Sequence, residues 1–376
     1  MRILIAPQEF KGTLTARAAA EAIARGLRAA LPDAELDLLP MADGGPGTLD
    51  ALVAATNGRI VEADVRGPLG APIRARWGAL GDGKTAVVEM AEASGLVLLP
   101  EAERDPRRAA TFGTGELLRA ALDAGHRRII VGLGGSATND GGAGLARALG
   151  ARLLDGQGAE LPPGGAALAR LARIDASALD PRLRQSEIVI AADVTNPLCG
   201  PDGTSLLYGA QKGATDAVAR ELDAALAHLA EVVKEDLGID AANVPGAGAA
   251  GGLAFGLLVF CGATLRPGFD VVAEAAGFGE RLARADLVVT GEGRLDRQTA
   301  FGKTAAGAAR AARAARKPVV AIAGSVVGGV ESEAARSFDA VFALTPDLAS
   351  PEEAFAHAEE LLARAGEAVG RWWRDR

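Results

Sequence analysis

The chain has 376 residues and a mass of 38.0 kDa, with 49% hydrophobic and 23% charged residues, the balance of a folded globular chain of about two domains. A net charge of −8 and a pI near 5.2 argue against a nucleic-acid or anionic-membrane surface, which needs a basic patch, and no apolar run approaches the roughly 20 residues that span a bilayer. The opening run MRILIA breaks at Pro7 and Gln8, without the long apolar region of a signal peptide, so a cytoplasmic location is expected.

In chain order, the apolar run Arg2–Ala6, the helically spaced segment Thr15–Leu31 and the run Glu35–Leu39 predict a βαβ unit. A helix is expected over Gly47–Ala55. Val61, Ala63 and Val65 alternate with charged residues, as do Ile73, Ala75 and Trp77 after the turn Gly67–Gly70, which marks half-exposed antiparallel strands. Strands follow at Thr85–Met90, Arg128–Val131 and Glu187–Ala192, with helices near Gly115–Ala124, Gly142–Leu149 and Thr215–Leu237. The C-terminal part reads as strands Ala285–Val289, Pro318–Ala323 and Ala340–Ala343, a helix Thr304–Ala315 and a long last helix from Pro351 to about Trp373. The five short buried strands at the two ends suit an α/β domain with a flavodoxin-like, doubly wound parallel sheet, formed by residues 1–58 and 250–376. Residues 59–249 read as an inserted mixed α/β domain.

The glycine-rich loops fall mainly where strands end, the usual ligand edge of an α/β sheet. After Arg128–Val131 come Gly134, Gly135, Ser136, Thr138 and Asn139, whose amides at a strand-to-helix turn would cradle phosphate or carboxylate. The same segment imitates a dinucleotide fingerprint, with Gly132, Gly134, Ala137 and Asp155 in place. A nicotinamide-dependent dehydrogenase is therefore one alternative, and a non-catalytic nucleotide-binding domain another. Lys11, Lys212 and Lys303 lie in glycine-containing loops of a lysine-poor chain and are candidates to offset phosphate or carboxylate charge. Glu292 and Asp296 are candidate Mg²⁺ ligands, since that ion takes one or two carboxylates plus substrate oxygens. Asp43 and Asp193 close strands and suit metal binding or proton abstraction. The three histidines lie outside the glycine-rich loops, which leaves proton transfer to carboxylates. Cys199 and Cys261 have neither a disulfide framework nor metal-site spacing and read as small buried residues.

Taken in order, Phe10–Leu14, Ala42–Gly45, Gly113–Glu116, Gly134–Gly142, Asp193–Leu198, Gln211–Gly213 and Gly291–Gly293 with Asp296 resemble the loops of the type 1 glycerate kinase family over nearly the whole chain. The resemblance implies a flavodoxin-like domain with an inserted domain likened to restriction endonucleases. It also implies ATP-dependent phosphorylation of D-glycerate, with 2-phosphoglycerate the usual product. On this reading the partners are small molecules, ATP and D-glycerate with Mg²⁺, and neither nucleic acid nor membrane. Two positions depart from the family pattern: Gln8-Glu9 stands where many members carry Asp-Ser, and Pro46 stands in place of a glutamate. Without that aspartate, Asp193 is the expected base, with Asn196 close after it to hold the glycerate hydroxyls, Asp43 the expected magnesium or water ligand, and Lys11 the expected catalytic cation.

Overall fold

The computed structural model describes residues 1–296, 304–329, 332, 335–345 and 349–376. Its strands are β1 (Arg2–Pro7), β2 (Glu35–Leu38), β3 (Arg59–Arg66), β4 (Pro72–Ala79), β5 (Thr85–Glu89), β6 (Arg128–Gly132), β7 (Arg152–Leu154), β8 (Arg173–Asp175), β9 (Glu187–Ala191), β10 (Thr264–Arg266), β11 (Leu287–Leu295), β12 (Val319–Val326) and β13 (Ala340–Thr345). The chain divides into two units, one of residues 1–43, 50–56 and 267–376, the other of residues 44–49 and 57–266.

In the first unit five strands pair in parallel in the order β13-β12-β11-β1-β2. Numbered within the unit, this is the flavodoxin order 2-1-3-4-5, whose ligand crevice lies at the carboxyl ends of β1 and β11. Ile3, Ile5, Leu287, Val289, Val320 and Ile322 fill one core with Ile23, Leu27, Leu361, Leu362 and Val369 from two helices. Helix Ala16–Ala30 starts at Thr15, whose side-chain oxygen accepts the Ala18 amide, as a β-region N-cap should.

Two expectations are corrected here. The last helix is two, Pro351–Ala356 and Ala358–Arg374; the first begins at a capping box of Ser350 and Glu353. Strand β11 does not end at Val289: its ladder with β12 runs on through Glu292↔Ala323 to Leu295↔Val326. Gly291-Glu292-Gly293 therefore lies within a strand.

The second unit holds a six-stranded sheet, order β10-β9-β6-β5-β4-β3. Its first four strands are parallel and β4 and β3 antiparallel, as the change from continuous apolar runs to alternation predicts. The first unit resumes at Pro267, later than the expected 250, because helix Ala249–Cys261 buries Leu253, Phe255, Leu257 and Phe260 in the second unit's core.

Helices Ala16–Ala30 and Ala358–Arg374 approach so closely that a β-carbon on Gly26 would lie 1.8 Å from the Ala363 carbonyl oxygen. Gly26→Ala gains up to about 1 kcal/mol of helix propensity, but a backbone oxygen cannot move aside, and overpacking costs roughly 1–3 kcal/mol. The clash wins, so Gly26→Ala is expected to lower the melting temperature. A higher one would show that the helices part without loss.

Candidate active site

At the carboxyl end of β1 the chain makes a tight turn. The Phe10 carbonyl accepts the amides of Thr13 and Leu14 and the Thr13 hydroxyl, and Gly12 takes φ +78°, a conformation that glycine adopts without strain. The turn leaves Lys11 exposed at its tip. Beside it, burial pushes the half-buried Glu9 carboxyl above its ordinary value; the Lys11 ammonium pulls it down and the Asp43 carboxylate pushes it up. The fold thus brings Lys11 and Asp43 together with Glu9, on which the sequence reading placed less weight.

Next to them, the Gln8 amide donates to the Gly291 carbonyl at 2.8 Å, and Glu292 is buried one residue further along β11. Asp296 follows the end of that strand and pairs with Arg294 at 3.5 Å. A strand rises about 3.3 Å per residue, so the Cα atoms of Glu292 and Asp296 are about 13 Å apart. Among the described residues no group of three or more His, Cys, Asp and Glu side chains is arranged to hold a metal ion. Lys303 lies outside the described residues.

In the second unit the loop after β6 is built on Asp140. Its carboxylate is fully buried and accepts the Thr111 amide at 2.8 Å, the Thr111 hydroxyl at 2.9 Å, the Gly144 amide at 3.0 Å and the Gly142 amide at 3.2 Å. Burial pushes this carboxyl up, and those donors pull against it. The first amides of the short helix Ala143–Ala148 are therefore held from within by this carboxylate. Lys212 was expected at the ligand; its side chain is also buried, and its Nζ donates to the Thr138 carbonyl at 2.6 Å. Burial pulls its pKa down to about 7, against the Asp140 charge that raises it.

These contacts orient the loop. The Gly135 carbonyl accepts the Leu96 amide, the Ala137 amide donates to the Ser94 carbonyl, and the Asn139 side-chain amide donates to the Ser205 hydroxyl at 2.8 Å. By contrast, the backbone amides of Gly134, Gly135, Ser136, Thr138 and Asn139 donate to no acceptor among the described residues. Ser136, Thr138 and Asn139 are buried, and the Thr138 hydroxyl and Asn139 Oδ1 are buried without a partner there. Buried amides need an acceptor, and a row of them fits an anion.

Beside this loop, the Leu133 amide donates to the Ala191 carbonyl at the end of β9, and the half-buried Asp193 follows two residues later. Asn196, expected to reach a ligand, instead donates to the Pro197 carbonyl at 3.2 Å and packs so tightly that a β-carbon on Gly248 would strike its Nδ2. Pro46 packs on Gly134 and Gly135.

The dinucleotide reading does not survive the topology. Asp155 follows β7, which pairs with β8 in a separate two-stranded sheet, and its carboxylate accepts the amides of Gln157 and Ala159 in a local turn. Cys261 is buried as expected, whereas Cys199 is half-buried. His126 is buried edge-on to Trp77 with its Nδ1 3.1 Å from the Lys84 carbonyl.

The buried lysine gives a test of the loop's construction. The folded chain holds the Lys212 proton less tightly than the unfolded chain, whose lysine keeps its ordinary value of 10.5. Between about pH 7 and 10.5 the unfolded chain therefore binds more protons, and this group's contribution to stability rises with pH. Denaturant titrations at pH 7 and 9 are expected to show a smaller gain in Lys212→Met than in the wild type. Equal gains would mean that Lys212 does not titrate in this window.

A family model described as the glycerate kinase family matches residues 3–374. A glycerate kinase of Bacillus subtilis (strain 168) is 51% identical over 364 residues, covering 97% of this chain and 95% of the relative. A glycerate 2-kinase of Escherichia coli (strain K12) is 48% identical over 365 residues, covering 97% and 96%. A crystal structure from Salmonella typhimurium LT2, assigned as a glycerate kinase 2, superposes with a TM-score of 0.88 at 47% identity, covering 100% of this chain and 98% of that one. With the flavodoxin strand order and the strand-end loops in place, these matches show that the chain belongs to the glycerate kinase family.

Proposed function

We propose that the chain transfers the γ-phosphoryl group of ATP to the 2-hydroxyl of D-glycerate, giving 2-phospho-D-glycerate and ADP. The observation that carries this reading is the set of amides of Gly134, Gly135, Ser136, Thr138 and Asn139, which have no acceptor among the described residues, beside the Thr138 hydroxyl. Phosphoryl transfer asks the protein mainly to position oxygens and to offset charge on them. In this assignment the amides and the Ser136 hydroxyl hold the anionic group, and Lys212 keeps the loop in shape from behind.

The glycerate hydroxyl oxygen bonds to the γ-phosphorus as the bond to the β-phosphate oxygen breaks. Asp193 takes the hydroxyl proton, and Asn196 fixes the backbone next to it. Lys11, and Lys303 with it, offset phosphate charge. The carboxylates of the first unit are hard oxygen donors of the kind Mg²⁺ takes; Glu292 would hold the ion, with Asp296 or Asp43 acting through water. When bound, that ion neutralises charge on the β- and γ-phosphate oxygens.

Mixing the protein with ATP, Mg²⁺ and D-glycerate and following ADP release tests the reading; release that does not depend on D-glycerate would sink it. Asp193→Asn keeps the shape and removes the acceptor charge, and is expected to lower kcat by roughly 100-fold or more with the KM for glycerate little changed. Near-normal turnover would return the base role to Glu9 or Asp43. Lys11→Ala is expected to cost on the order of 100-fold in kcat/KM for ATP; unchanged kinetics would leave Lys11 a solvated surface group.

A further inference from the structure

The first unit carries a cavity of about 190 Å³ at the carboxyl ends of its strands, next to the crevice where such sheets bind ligands. Its wall is largely carbon, from Phe10, Leu344, Ala354, Phe355 and Ala358. Phe10 and Leu344 are buried, but Phe355 is 65% exposed. A cavity of roughly 150 Å³ accommodates benzene, so this one suits a flat heterocycle and is too small for a whole nucleotide.

The polar groups fit the same occupant. The Thr13 and Thr345 hydroxyls already donate to the Phe10 and Gly324 carbonyls, whereas the Ser325 hydroxyl, on a strand residue paired with Arg294 and Thr345, has no hydrogen-bond partner among the described residues. Lys11 lies in the lining, where an ammonium would meet the phosphate end of a ligand whose base fills the apolar part. A three-carbon hydroxy acid would lose hydration against these walls without replacing it.

Gly293 lines this cavity. A β-carbon there would sit 3.4 Å from the Lys11 backbone nitrogen, an ordinary contact. The neighbouring Gly324 differs, since its β-carbon would meet the Gly293 carbonyl at 2.4 Å. Gly324 is therefore required by the sheet. Gly293 is not, since a β-carbon there would meet only ordinary contacts, and it leaves its part of the cavity wall without a side chain.

From these observations we infer that the cavity lined by Phe10, Gly293, Ser325, Leu344 and Phe355 is the site of the nucleotide's purine base, which stacks on Phe355 with its phosphates leading past Lys11. The inference rests on the phosphotransfer reading, and its test separates the two. Calorimetric titration with ADP is compared for the wild type, Gly293→Val and Phe355→Ala, alongside turnover and thermal melting. Filling the cavity floor or removing the stacking face is expected to weaken ADP binding and raise the KM for ATP by roughly tenfold, with the KM for D-glycerate within about twofold and the melting temperature kept. Because Phe355 is exposed, its variant folds even if Gly293→Val does not. ADP bound equally well by wild type and Phe355→Ala, no ADP bound by the wild type, or a rise in the glycerate KM instead would each overturn the base site. ADP binding lost in the variants of a protein that does not turn over glycerate would uphold the base site and refute the proposed acceptor.

Discussion

A carboxylate with no exposed surface organises the second unit's loop. Asp140 gathers two N–H groups from the start of helix Ala143–Ala148 and the amide and hydroxyl of Thr111, just before helix Phe112–Asp123. It also supplies the charge that keeps a buried lysine tolerable at Lys212. An isolated buried ion is costly, and breaking such an arrangement by removing one partner costs about 3–5 kcal/mol. The consequence for function is directional. With the Thr138 carbonyl held by Lys212 and the Gly135 carbonyl held by Leu96, two of the loop's acceptors are satisfied from the protein side, and the amides of Gly134, Gly135, Ser136, Thr138 and Asn139 are left for an anion.

The same loop shows why glycine content is an ambiguous guide to ligands. Gly251, at φ +70°, comes so close that a β-carbon would lie 1.9 Å from the Thr138 carbonyl oxygen, and this backbone packing holds the loop rather than admitting substrate. At Gly293, by contrast, an added carbon would meet only ordinary contacts, at 3.4 Å and beyond. The physical distinction is what a β-carbon would meet, and a sequence does not contain it.

Much of the fold was legible because its signals are local. The apolar runs of the first unit, the alternation over Val61–Trp77 and the Asn139-Asp140-Gly141-Gly142 break, after which the helix starts at Ala143, all follow from neighbouring residues. The extension of β11 was hidden because its last residues, Glu292 to Leu295, are held by pairing with β12 rather than by apolar character. At the site, motifs pointed to Lys11, Asp43, Asp193 and the Gly134–Asn139 loop. They did not reveal that Lys212 and Asp140 face inward, because burial of charge depends on partners far apart in sequence. Glu9 stood out only as part of the Gln8-Glu9 departure, and its company with Lys11 and Asp43 is a product of the fold.

The account makes one central claim: this framework of strand-end amides, acids and lysines passes phosphate to a hydroxyl of glycerate. Phosphorus and proton NMR of the products of ATP, Mg²⁺ and D-glycerate tests it most directly. The account predicts a new phosphomonoester signal coupled to the single C2 proton, growing as the γ-phosphate signal of ATP declines. Coupling to the C3 methylene protons would contradict the assigned hydroxyl, and no phosphoester signal at all would contradict the account as a whole.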